Sequence, residues 1–187
     1  MSVLFKILYI ILASVFVFYV LLPNPSFPEP LPYSLQSSEP ADVETSLRRG
    51  YYTDLSREEV LKYYQGQLKK SAFFNIYLPT YRLNYPPEEA QVIIRDQTRS
   101  TFLEEIVHPF RESFYINGFE PNEPQNIIEV DGKIWRQKII VRFVPSNTFA
   151  RLPIILISLV LLWIVTKQFV FAVGELLNPK FNHNEKK

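Results

Sequence analysis

The chain contains no cysteine at all, only two histidines and one methionine, and just five glycines in 187 residues. Without cysteine there can be no disulfide, no thiolate nucleophile and no thiolate metal site. So few glycines leave no phosphate-cradling loop and no Gly-x-Ser-x-Gly elbow. A one-sided charge is missing too. The formal net charge is +1, and residues 43 to 147 carry 14 basic and 14 acidic side chains. A neutral, mixed-sign domain has no field that would gather a polyanion, so nucleic acid is excluded as the expected partner. No cofactor is expected either.

What the sequence does have is two long oily runs. "VLFKILYIILASVFVFYVLL", residues 3 to 22, carries a single charge at Lys6. Twenty helical residues extend about 30 Å, the thickness of the hydrocarbon core. No small-x-small cleavage signal closes the run, so an uncleaved signal anchor is expected over residues 1 to 22 in preference to a removable leader. "LPIILISLVLLWIVTKQFVFAV", residues 152 to 173, has only Lys167, and a transmembrane helix is expected over 150 to 174. Pro153 is read as part of its first turn. Lys167 lies close enough to the end of the run for its ammonium to snorkel to the headgroups, the alternative being a partner carboxylate. Lys6 lies at the N-terminal end of the first run, and Lys180, Lys186 and Lys187 follow the second, whereas residues 23 to 47 hold no basic residue before Arg48. The positive-inside rule then places both termini in the cytoplasm, including the tail 175 to 187, and the middle of the chain outside the cell membrane.

Directly after the first run comes "PNPSFPEPLPYSLQSSEP", with six prolines and no glycine. Proline fixes φ and donates no backbone hydrogen bond, so this stretch is stiff and extended. It is expected as a linker over 23 to 42, either a stalk or a strap packed along the following domain.

Residues 43 to 147 are expected to fold as an extracytoplasmic α+β domain: an antiparallel sheet with two main helices on one face. A strand at about 46 to 53 leads to a helix opened by Ser56 and Glu59, a capping box, with Val60, Leu61, Tyr64 and Leu68 on one face. A second strand is expected at 73 to 78. Pro87 and the acids after it open a longer helix, read as reaching Val107. Pro109 then ends it, with Phe110 and Phe114 on a short further helical turn. In "NIIEVDGKIWRQKIIVRFV" the Asp131-Gly132 pair is a two-residue hairpin turn. It places Ile128, Val130, Trp135, Ile139, Val141 and Phe143 on the core face.

The stretch "YYTDLSREEVLKYYQGQL" resembles the opening strand-helix unit of small α+β domains from bacterial membrane-anchored or secreted proteins of unknown function. Tyr52, Asp54, Ser56, Glu59, Val60, Tyr64 and Leu68 carry the likeness. It implies half a fold and a compartment, and no activity.

Chemistry has one candidate cluster, "LEEIVHPFRE". On a helix, Glu104 and Glu105 would both reach His108, which makes these three the residues for a hydrolase or metal site. A structural helix-end histidine is the competing account. Aromatics are more abundant. Tyr51, Tyr63, Tyr77, Tyr81 and Tyr85 form a candidate interaction surface, because doublets such as Tyr51-Tyr52 send one ring inward and the other out. The leading expectation is a two-span, non-enzymatic interaction or scaffold module, an accessory subunit of a bacterial envelope complex. Its partners would be the lipid bilayer and membrane or envelope proteins. The alternatives are a cell-wall or small-ligand binding module using exposed aromatics, and an enzyme centred on Glu104, Glu105 and His108.

Overall fold

The computed structural model of the chain describes residues 2 to 93 and 101 to 177. These divide into two compact units: one from Leu22 to Ser146, the other containing the terminal helices.

The terminal helices are α1, Val3–Leu21, and α4, Thr148–Leu177. Both are long and apolar enough to cross a bilayer. α4 begins earlier than the oily run because Asn147 caps it, its Oδ1 accepting from the Phe149 amide at 2.9 Å. Pro153 therefore stands inside the helix and not in its first turn. Within this unit the Trp163 ring lies against Tyr9 and Phe5, and the Tyr9 hydroxyl donates to the Leu159 carbonyl. The tail from residue 178 onward, with its three lysines and His183, lies outside the described residues.

Residues 22–146 are α+β. Six antiparallel strands run in the order β1 (Leu35–Gln36), β2 (Arg48–Thr53), β8 (Gln137–Val144), β5 (Ser113–Phe119), β4 (Phe102–Val107) and β3 (Tyr81–Tyr85). A separate hairpin pairs β6 (Ile128–Val130) with β7 (Lys133–Trp135). Helix α2, Arg57–Leu68, covers one sheet face, and α3, Pro87–Ile93, follows β3 directly. Alternation along each strand builds the core: Tyr51, Phe102, Ile106, Phe114, Ile116, Ile139, Val141 and Phe143 pack against Val60, Leu61, Tyr64 and Leu68 of α2. The capping box at its start is complete, Ser56 Oγ accepting from the Glu59 amide and Glu59 from the Ser56 amide. Such a cap is worth about 1 kcal/mol.

The Asp131-Gly132 turn forms as expected, with φ of 55° and 72° at its two residues and Val130 opposite Lys133. The long second strand is broken at Arg136, however. Beyond it β8 leaves its hairpin partner and enters the middle of the large sheet.

Three expectations are corrected. The segment from Phe102 to Val107 is a strand, not the end of a helix from Pro87; of that helix only Pro87–Ile93 is helical among the described residues, and 94–100 lie outside them. Residues 73 to 78 form a turn closed by a bridge between Lys70 and Tyr77, and the strand comes later at Tyr81–Tyr85. Phe110 occupies the β4–β5 turn with φ of 60°, and Phe114 belongs to β5.

The proline segment is no free linker. Leu31 is part of the core, Leu35 and Gln36 add a strand beside β2, and the Tyr63 hydroxyl donates to the Pro30 carbonyl at 2.7 Å. Stiffness serves packing here: a chain with φ already fixed loses little entropy when laid along a surface. Residues 23 to 42 are a strap, the second of the two forms expected.

Candidate functional site

Strand geometry dismantles the cluster read on a helix. Successive side chains of β4 point to opposite faces, so Glu104 and Glu105 are separated. Glu104 faces the core side and is wholly buried, with its Oε1 paired to Arg57 and the Arg82 Nε 4.0 Å from its Oε2. Arg57 in turn lies over the Phe102 ring at 5.0 Å. A buried carboxylate needs this partner, because desolvating an unpaired charge is prohibitive. Glu105, on the opposite face, accepts from the Tyr85 hydroxyl. That bond, followed by burial, raises the Tyr85 phenol above its ordinary range.

His108 belongs to a different group. It is buried at the base of the β4–β5 turn, where its Nδ1 donates to Glu112 Oε1 at 2.8 Å. Glu112 accepts only, so the proton of this tautomer sits on Nδ1. Arg111 closes over the same carboxylate, with Nη2 at 3.0 Å from Oε1 and Nε at 3.2 Å from Oε2, and donates through Nη2 to the Pro23 carbonyl at 3.0 Å. Burial alone would raise the Glu112 carboxyl. The hydrogen bonds from His108 and Arg111 outweigh it and hold the group below the usual carboxylate range. The knot joins the strap's first residue to the sheet. Its members Arg111 and Glu112 escaped the sequence reading, although His108 and Glu112 stand four apart in "HPFRE". The signal was a tight turn that sets positions 108 and 112 face to face, seen as the His108 amide donating to the Glu112 carbonyl at 3.0 Å.

A second polar group fastens the strap's far end. Lys138 Nζ lies 2.8 Å from both Asp42 Oδ2 and Glu39 Oε1, and the Tyr52 hydroxyl donates to the same Glu39 oxygen. Burial would lower Lys138, but these two carboxylates raise it above its ordinary value. The hydrogen bond from Lys138, then that from Tyr52, lowers Glu39.

Among the five tyrosines offered as an interaction surface, two are open to solvent: Tyr77 at 71% and Tyr81 at 59% exposure. Tyr51 is only 2% exposed and is a core residue. Its neighbour Tyr52 is also buried, under the strap, so both rings of this doublet are inside. Tyr63 is half-buried against the strap and Tyr85 against Glu105. Phe73 and Phe74, which belong to the same aromatic-rich stretch, are exposed as well, and so are Leu83 and Phe110. Tyr81 and Leu83 stand on β3, whose outer edge pairs with no strand among the described residues. The opposite edge is blunt, since β1 has two residues and follows Pro30 and Pro32.

Among the described residues no three histidine, aspartate or glutamate side chains converge as metal ligands would. No protein-family model matches the chain, and neither a curated protein nor a solved structure does.

Proposed function

We propose that the chain is a two-span, membrane-anchored interaction module whose folded domain, on the extracytoplasmic side, recruits a membrane or envelope protein into a complex. The observation that carries this reading is the outer edge of β3, which pairs with no strand among the described residues. The strand is five residues long and turns the backbone groups of alternate residues away from β4, with Tyr81 and Leu83 exposed beside them. An exposed, partly apolar edge invites strand addition from another chain. Pro79 and Pro86 bracket this one without entering it, and its one charge, Arg82, is paired with Glu58 and lies 4.0 Å from Glu104. The polar groups built around Glu104, His108 and Lys138 are accounted for by holding the fold, which favours a binding role over catalysis.

The test is co-purification after mild detergent extraction. The native chain is expected to bring down a defined partner. A Leu83→Lys variant, altered at an exposed position, should lose that partner while keeping its thermal stability. A chain that purifies alone, or a variant that retains the partner in full, would remove the edge from consideration.

A further inference from the structure

The domain carries an aromatic and basic rim at the end where its chain enters and leaves. Register places it there. β8 runs towards Val144 and Ser146, Ser113 stands opposite Val144, Val107 opposite Ser113, and Tyr81 opposite Val107. The Arg111 bond to Pro23 and a 2.9 Å bond from Asn24 Nδ2 to the Ser146 carbonyl bring both chain ends to this same edge of the sheet. The turn between α2 and β3 belongs to it as well. Its base closes through the Leu78 amide donating to the Lys69 carbonyl at 2.7 Å, three residues ahead of Tyr81.

The tip of that turn holds rings outward against their own preference. Phe74 is 84% exposed, and it and Asn75 have φ of 52° and 51°, a left-handed conformation that bulky side chains disfavour. The turn is closed, not slack: the Ser71 amide donates to the Ile76 carbonyl at 2.8 Å and Ser71 Oγ accepts from the Phe73 amide at 3.1 Å. Phe73 meets Phe74 edge-on at 4.4 Å. On the β4–β5 turn Phe110 repeats the pattern, 70% exposed with φ of 60°, above the His108, Glu112 and Arg111 knot. Lys69, Lys70 and Tyr77 are exposed alongside.

We propose that this rim is a lipid-docking surface. Phe74 and Phe110 enter the interfacial layer of the bilayer, and Lys69 and Lys70 meet anionic headgroups. This rests on the reading of α1 and α4 as membrane spans. The occupant follows from continuity: Leu22 opens the domain immediately after α1, and Ser146 closes it immediately before the Asn147 cap of α4. With no spare chain on either side, the rim meets the bilayer as an intramolecular event, so individually weak insertions suffice. Aromatic rings beside lysines are also the composition that interfacial segments use.

The absence of cysteine makes a single introduced one a unique label site. Three full-length variants would carry a spin label in vesicles containing anionic lipid: Ala72→Cys at an exposed position of the rim, Asn122→Cys in the exposed loop after β5, and Val165→Cys on α4. Collision with oxygen and with a water-soluble nickel chelate reports depth. Val165→Cys should read deep, Asn122→Cys aqueous, and Ala72→Cys interfacial. Adding Phe74→Ser, or reversing Lys69 and Lys70 to Glu, should return Ala72→Cys towards the aqueous value, with each lysine contributing about fivefold to the docked population. If Ala72→Cys matches Asn122→Cys while Val165→Cys stays deep, the rim faces water or a protein partner and the docking proposal falls alone. If Val165→Cys is itself aqueous, the two-span reading falls and takes this proposal with it.

Discussion

Glu112 shows how one side chain can decide the behaviour of a site that sequence alone placed elsewhere. Sequence pairing made Glu104 and Glu105 the partners of His108, whereas the turn gives His108 to Glu112. The carboxyl of Glu112 is held below its ordinary value of 4.5 by His108 and Arg111, against the opposing pull of burial. A folded-state pKa below the unfolded one stabilises the native state above the unfolded value. That contribution fades as pH falls below about 4.5 and through the lower folded value. Chemical denaturation of the detergent-solubilised chain should therefore show a stability loss in that acid window. Glu112→Gln removes the charge but keeps the shape, and it should cost about 3 kcal/mol near neutrality, as breaking a buried ion pair does. The gap between variant and native chain should narrow as acid is added. A gap that is unchanged between pH 7 and pH 3 would show that the carboxylate is not what Arg111 and His108 hold.

At the scale of elements, α2 was readable because its evidence is local: a capping box and four apolar residues at helical spacing, all within 13 residues of one another. The Asp131-Gly132 turn was readable for the same reason. β4 was not. In "FLEEIVH" the pairs Phe102-Ile106 and Leu103-Val107 fit helical spacing as well as any strand, and Glu104 looks like the polar face of a helix. The strand turns Glu104 inward only because Arg57, 47 positions away, is there to receive it. Non-local rescue of a buried charge leaves no trace in a window of sequence. β4 and β5 also interlock through Phe102, whose ring lies over Gly118 directly across the pair. A Cβ at Gly118 would stand 2.0 Å from that ring. Gly118→Ala should accordingly cost about 1 to 3 kcal/mol as an overpacking change. Because the ring atoms of Phe102 are what the new methyl meets, the loss should be partly relieved by Phe102→Leu, although that change also takes the ring from under Arg57. The double variant, measured by thermal denaturation, should be more stable than the sum of the single changes allows. Strict additivity would mean the ring can move aside freely.

On the scale of the whole chain, the proline segment shows how distant partners choose between two forms that local sequence allows equally. Sequence left a free stalk and a packed strap both open, because stiffness alone fits both forms. The choice was made by distant partners: Leu31 in the core, Pro30 under Tyr63, and Asp42 and Glu39 on Lys138. Residues 23 to 42 should then resist proteases as long as the domain is folded, although their composition is that of an exposed linker. Truncating Leu31 to Ala should cost about 2 to 3 kcal/mol, the usual range for removing a buried leucine side chain. Since the strap lies at the margin of the sheet, that loss should appear first as local release, with cleavage between residues 25 and 42 preceding any cut in α2 or β8. Mass spectrometry of limited digests would order these cuts. Early cleavage of the native chain within the strap would mean that Leu31, Pro30 and Lys138 do not hold residues 23 to 42 against the domain.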